Sequence, residues 1–364
     1  MIKKKILIAT GGTGGHIFPA FSLANFLAKA NYSVQLASDK RGLRYLSKLK
    51  NLQVVYIPSS PIIKKNILTL SYSLLVIFFS IFKSIFFLLL NRPSLVFGMG
   101  GYSSFPICIA ASILRIKLVT YENNLAIGKT NKYLLPFVKK IFVSFKDLEA
   151  IHGQYKKKVF EVGNIIREEI INSKNQLDIY NDFESFQILV LGGSQAAKIF
   201  AEELPPVFDK LQNAGIAIKI FQQCQKKQSD QLSQIYKKVK IDSEVFNFTE
   251  NIKEYYSKAN LVITRSGASV LGELINFKIP FISIPLPTSA DNHQYKNAQF
   301  YSKKGYGYLL EERNIKDQLY DLIYSLNKDK SLLKNILSNQ NQYSDKDIFK
   351  NLNIHIERVL NEKN

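Results

Sequence analysis

The chain opens a domain in the same way twice. Residues 5–13 read KILIATGGT and precede a helical stretch from about Phe18 to Ala30. Residues 187–194 read QILVLGGS and precede another from about Ala196 to Leu211. Each is an apolar strand, a Gly-Gly-hydroxyl loop and a helix. Two such openings in 364 residues predict two Rossmann-like halves. A prior of roughly 150 residues per domain agrees. Between them short apolar runs alternate with helical stretches, at Ser33–Ala37, Val54–Ile57, Leu95–Phe97, Lys117–Thr120 and Lys140–Val143. The second half repeats the habit at Ile216–Phe221, Val245–Phe248, Leu261–Thr264 and Pro280–Ile284. This is the pattern of an α/β protein with parallel sheets. The expected division is a first domain over 1–163, a polar linker over 164–183, a second domain over 184–343 and a C-terminal helix over 344–364.

Composition narrows the function. Apolar residues make up 46%, enough for two cores. Lys and Arg number 49 against 29 Asp and Glu, a formal charge of +20 that points to an anionic partner. The lysines are dispersed and no basic-aromatic motif accompanies them, which argues against a nucleic-acid binder. Cys108 and Cys224 are too few for a disulfide scaffold and fit a reducing compartment. The apolar run after Met1 is too short for a signal peptide and meets glycine at Gly11, so a cytoplasmic protein is expected. Residues 67–90, ILTLSYSLLVIFFSIFKSIFFLLL, carry one charge, Lys83, and are flanked by Lys64, Lys65 and Arg92. Three readings are open: a buried domain helix, a membrane span, or a helix lying on an anionic leaflet. Basic flanks and a Phe-rich surface favour the last.

The glycine loops fail the common fingerprints. In Gly11-Gly12-Thr13-Gly14-Gly15-His16 a GxGxxG would need glycine where Ile17 stands, which removes the best marker for a dinucleotide. Gly128-Lys129-Thr130 lacks the earlier glycine of a P-loop, since Asn123 stands there. Asp345-Lys346-Asp347 follows no apolar strand and reads as a helix N-cap at Ser344 or Asp345 rather than a metal motif. A glycine turn at a strand end does free backbone N–H groups at a helix N-terminus, where an anion or sugar hydroxyls dock. A third turn, Ser266-Gly267-Ala268, opens a helix in the same way. Glu273 comes about a turn later, placed either to chelate ribose hydroxyls or as an ordinary exposed helix residue. His16 is the one histidine in a glycine loop, and imidazole is the side-chain type suited to general acid–base work near neutral pH.

The motifs GGTGGH at 11–16, GMGGYSSFP at 98–106, Glu122-Asn123-Asn124, Val162-Gly163-Asn164 with Arg167, GGSQ at 192–195, Arg265–Ala268 with Glu273, and DNHQ at 291–294 with Asn297-Ala298 occur in one order along nearly the whole chain. Together they resemble the peptidoglycan N-acetylglucosaminyltransferases. The resemblance implies a GT-B fold, two Rossmann-like domains facing across a cleft. It implies metal-independent, inverting transfer of GlcNAc from UDP-GlcNAc to undecaprenyl-diphosphate-MurNAc-pentapeptide (lipid I), with no cofactor. It implies a peripheral protein at the cytoplasmic face of the bacterial inner membrane, with residues 67–90 in a membrane-association patch.

The implied residue roles are specific. The loop of Ala268, Ser269, Val270, Leu271, Gly272 and Glu273 carries the diphosphate at its start, and Glu273 the ribose. Ser194 touches the phosphate region, and Arg167, at the domain junction, the nucleotide. Thr249 lies beside the uracil, and Gln294 and Asn124 hold GlcNAc. Thr13, Gly14 and Gly15 line the donor and acceptor side. His16 is the candidate base, with hydrogen bonding to the acceptor or helix capping as its other roles. Four positions depart from the pattern: Ala196 where glycine is common, Val270 for Thr, Asn123 for Gln, and Thr249 for a larger apolar residue. The nearest alternative is a related GT-B enzyme acting on diacylglycerol, and Tyr102–Ser104 with Glu122–Asn124 fit the peptidoglycan branch better. An epimerase of UDP-GlcNAc would need clustered carboxylates that these motifs lack.

Overall fold

The computed structural model describes residues 3–12, 14–46, 52–62, 66–146, 148, 151, 153–173, 184–193, 196–249 and 251–362. The chain divides into two compact units. The first is Met1–Arg167 together with Asp345–Asn364, the second Glu168–Ser344.

The first unit holds a parallel sheet of β1 (Lys5–Ala9), β2 (Ser33–Ser38), β3 (Gln53–Tyr56), β4 (Leu95–Gly98), β5 (Leu118–Glu122), β6 (Lys140–Val143) and β7 (Val159–Glu161), in the order β3-β2-β1-β4-β5-β6-β7. The second holds β8 (Phe186–Leu191), β9 (Ile218–Gln223), β10 (Asp242–Phe246), β11 (Leu261–Thr264), β12 (Phe281–Ser283) and β13 (Tyr308–Leu309), in the order β10-β9-β8-β11-β12-β13. Every paired strand is parallel, as when β1 sets Ile6 against Val34 on one side and Leu95 on the other. Helices cover both faces, so the central strands are continuous apolar runs: Ile6, Leu7 and Ile8 are buried, as are Leu261, Val262 and Ile263.

Strand order reverses at β1/β4 in one sheet and at β8/β11 in the other. The crevice beyond the carboxyl ends of strands at such a switch point is where ligands bind in open α/β sheets. Four of the glycine turns lie there: Gly11-Gly12 after β1, Gly100-Gly101 after β4, Gly192-Gly193 after β8 and Ser266-Gly267 after β11.

Residues 164–183 are not one polar linker. Asn164, Ile165 and Ile166 are buried in the first unit. The Asn164 backbone N–H donates to Asp345 Oδ1 and its amide to Oδ2, each at 3.1 Å. Glu168–Ile171 is a short helix of the second unit, and 174–183 lie outside the described residues. The Asp345 carboxylate is thus spent on Asn164 and does not cap the last helix. That helix runs Ile348–Asn361, with Asp347 at its N-cap making no side-chain cap bond. It packs on the first unit, where Phe349 stacks on Phe26 at 5.1 Å between ring centroids.

The segment expected at the membrane is a single helix, Ile67–Asn91. Asn66 and Thr69 form a reciprocal capping box at its start, and Arg92 ends it in the left-handed conformation. Its polarity is inverted. The residues it buries are Ser73, Ser80, Ser84 and Leu88, on a helix that packs against Gly101–Ile113, while Leu75, Phe78, Phe79, Phe82, Phe86 and Leu90 are exposed. The two buried hydroxyls of Ser80 and Ser84 donate to carbonyls one turn back, at Val76 and Ser80, so no other polar partner is needed. A buried domain helix is therefore not what forms here.

Candidate functional sites

In the first unit the turn after β1 starts the helix Gly14–Lys29, and His16 lies in its first turn. The imidazole rests against the turn after β4. A Cβ at Gly101 would stand 3.2 Å from both His16 Cδ2 and Nε2, and one at Gly100 would be 3.6 Å from Cε1. Gly100 and Gly101 also have φ of 79° and 71°, so glycine is needed on both counts. The Thr10 hydroxyl donates to the His16 carbonyl at 2.9 Å. Gly14 is buried at the helix start, and the Gly15 carbonyl accepts from the Asn123 amide at 3.4 Å. Thr13 lies outside the described residues.

Glu122, 4% exposed at the end of β5, organises the next loop. Its Oε1 accepts from the Asn124 backbone N–H (3.1 Å) and Asn124 Nδ2 (2.9 Å). Its Oε2 accepts from the Gly128 N–H and Asn131 Nδ2, both at 2.9 Å. The Asn124 amide thus has its Nδ2 turned to the protein, toward Glu122 and Asn123 Oδ1. Arg167, at the end of the unit, lays its guanidinium over the Phe18 ring, 4.5 Å from the centroid.

In the second unit the turn after β8 is tightly closed. A Cβ at Gly192 would stand 2.0 Å from the Ala197 nitrogen, so this position takes only glycine. Ala196, where glycine was expected, has a φ of 45°. This explains the glycine preference, since an L-residue there carries a left-handed backbone. Ser194 lies outside the described residues.

The turn after β11 leads into the helix Ala268–Phe277, whose N-cap is Gly267 and has no side-chain cap bond. The first-turn amides, with the positive end of the helix dipole, suit an anion. The Ser266 hydroxyl is fully buried there and has no hydrogen-bond partner among the described residues. Val270 offers no hydroxyl to join it. Two residues outside the expected site set hold this turn. Asn297 Nδ2 donates to the Ser266 carbonyl at 3.1 Å. Arg265, nearly buried, donates to the carbonyls of Ile284 (3.3 Å) and Pro285 (3.2 Å), pairs with Glu312 and stacks over Phe200. Both belong to motifs visible in sequence, but their roles depend on contacts 19–65 positions away.

Glu273 is 5% exposed and accepts from the Tyr256 hydroxyl at 3.0 Å. It is not an ordinary surface glutamate. Gln294 Oε1 accepts from the Leu286 N–H at 2.9 Å, closing the loop before the helix His293–Lys303. Thr249 follows β10, three strands from β11, and its hydroxyl accepts from the Asn251 N–H at 3.0 Å. At ~4.8 Å per strand, only an extended ligand lying along the carboxyl edge of the sheet touches both Thr249 and Ala268. Among the described residues no group of three or more metal-ligating side chains occurs.

Known proteins resemble this chain along most of its length. Residues 6–143 match the glycosyltransferase family 28 N-terminal domain and residues 187–352 the C-terminal domain of that family. The UDP-N-acetylglucosamine–N-acetylmuramyl-(pentapeptide) pyrophosphoryl-undecaprenol N-acetylglucosamine transferase of Pelagibacter ubique (strain HTCC1062) is 35% identical over 365 residues, 99% of this chain and 100% of that one. Among solved structures, Acinetobacter baumannii MurG has a TM-score of 0.79 at 23% identity, covering 98% of this chain and 100% of its own. S. aureus MnaA, solved with UDP, has a TM-score of 0.69 at 17% identity over 99% of each chain. At those identities the two structures speak to the fold.

Proposed function

The chain belongs to glycosyltransferase family 28, and from that premise we propose that it transfers GlcNAc from UDP-GlcNAc to the C4 hydroxyl of MurNAc in lipid I, forming lipid II. The observation that carries the reading is the full-length identity to the Pelagibacter transferase, 35% over 99% of this chain. The relative is named for an undecaprenol-linked acceptor, which disfavours the diacylglycerol alternative.

The chemistry is a displacement at C1 of the sugar. The acceptor oxygen forms the new bond as the C1–O bond to UDP breaks, with inversion. The hydroxyl proton passes to a base, and the bonding electrons leave with the diphosphate. His16 is our base, because a glycine turn presents its imidazole at the switch point of the first sheet. The departing diphosphate is supported by the amides of Ala268–Val270 and the Ser266 hydroxyl, which act as preorganised donors without a metal. Glu273, oriented by Tyr256, takes the ribose hydroxyls. Thr249 lies toward the uracil, Gln294 and Asn124 toward GlcNAc, and Arg167 toward the nucleotide.

We place the enzyme on the cytoplasmic leaflet as a peripheral protein. The exposed Phe and Leu face of Ile67–Asn91 supports this, since a soluble surface rarely leaves so many large apolar side chains together. Its ends join β3 and β4 of one sheet, so lying along the membrane suits it better than spanning. The +20 charge complements anionic lipid. The test is transfer of radiolabelled GlcNAc to a lipid I analogue and, separately, to diacylglycerol. Product from the lipid I analogue alone is expected, and product from diacylglycerol alone would overturn the acceptor assignment.

A further inference from the structure

Asp39, just beyond β2, is 4% exposed and belongs to none of the motifs above. Its Oδ1 accepts from the Gly12 backbone N–H at 3.0 Å and from the Gly42 N–H at 2.9 Å. Its Oδ2 accepts from the Tyr102 hydroxyl at 3.3 Å. The Gly42 bond is ordinary N-capping of the helix Lys40–Leu46. The other two are not, because they reach the two glycine turns that enclose His16. Gly12 lies in the turn after β1, four residues before His16. Tyr102 directly follows Gly101, whose backbone lies against the His16 ring. The carboxylate also fills the space beside Gly11, where a Cβ would stand 2.6 Å from its Oδ1.

We propose that Asp39 is a positioning residue for transfer: it ties the turn after β1 to the turn after β4 and so fixes the His16 imidazole between them. This rests on the assignment of His16 to the acceptor side. Asp39 touches no substrate itself. Its two oxygens divide the labour, one for the turn after β1 and one for the phenol after β4. An amide at this position keeps both links, because Asn Oδ1 accepts from the two N–H groups and Nδ2 donates to the phenol oxygen. A serine keeps a helix cap but has no second atom for Tyr102.

The experiment compares Asp39→Asn, Asp39→Ser and Asp39→Ala with wild type. It measures kcat with a lipid I analogue and, by calorimetry, the affinity for UDP, which binds the other unit. Asp39→Asn is expected within about 3-fold of wild-type kcat. Asp39→Ser and Asp39→Ala are expected to lose roughly 10- to 100-fold in kcat, the scale of an ångström-level misplacement, with UDP affinity unchanged. Wild-type kcat in Asp39→Ser would show that Asp39 is a cap alone and overturn the proposal. So would a loss of UDP affinity parallel to the loss of kcat, which marks general unfolding. Absence of transfer by wild type would instead sink the functional reading on which this rests.

Discussion

Ala196 and Glu273 show how single residues shape the turns and buried contacts of the second unit. Ala196 holds a φ of 45°, a backbone that costs L-residues about 1–2 kcal/mol. Ala196→Gly releases that cost and gives back part of it through unfolded-chain entropy. A net stabilisation of about 0.5–1 kcal/mol is expected in denaturant titrations, and a loss of stability would contradict the assigned strain. Glu273 is buried and its carboxylate accepts from the Tyr256 hydroxyl, which helps to fix its orientation. Glu273→Gln keeps the shape and weakens a charge-assisted bond worth ~1.5–3 kcal/mol, so KM for UDP-GlcNAc should rise at least ~10-fold. An unchanged KM would remove Glu273 from the ribose role. The sequence made Glu273 and the glycine turns legible because each is a local signature: strand, turn, helix start. It could not show whether Glu273 is buried, which depends on Tyr256 17 residues earlier. Asp39 stands at a strand–helix junction, where an Asp signals only a helix cap. Its second and third partners, 27 and 63 positions away, are invisible along the chain.

At the scale of elements, the central strands were readable because parallel strands covered on both faces are uninterrupted apolar runs, whereas the edge strand β10, Asp242–Phe246, begins three residues before the expected Val245 because its first residues are polar. Strands β7 and β13 were not readable, with three and two residues each, too few to show a pattern. The helix Ile67–Asn91 was recognisable from its length and apolarity, but not the face it would bury. The structure puts serine inward and phenylalanine outward. Phe78 and Phe82, edge-to-face at 4.7 Å, sit on that outer face. Burying each in a bilayer contributes ~1.5–3 kcal/mol, so Phe78→Ser with Phe82→Ser should weaken binding to anionic vesicles by ~100-fold or more. The fold should be unaffected, because neither side chain packs in the core. Vesicle sedimentation reads the first and circular dichroism the second. Unchanged sedimentation would remove the membrane role from this helix.

The whole molecule is one topology used twice, each unit offering a glycine-lined switch point. Duplication was legible from the two Gly-Gly openings. The return of residues 345–364 to the first unit was not, because the Asn164–Asp345 bonds join positions 181 apart. The proposed transfer needs His16, at the switch point of the first unit, as its base and no metal at the leaving group. The most direct measurement is initial-rate transfer of radiolabelled GlcNAc to a lipid I analogue, with EDTA present, by wild type and His16→Ala. Wild type should be active in EDTA, and His16→Ala should fall by ~100- to 10,000-fold, the range for loss of a general base, with UDP binding intact. A His16→Ala rate near wild type, or a wild-type rate abolished by EDTA and restored by a divalent cation, would contradict the mechanism.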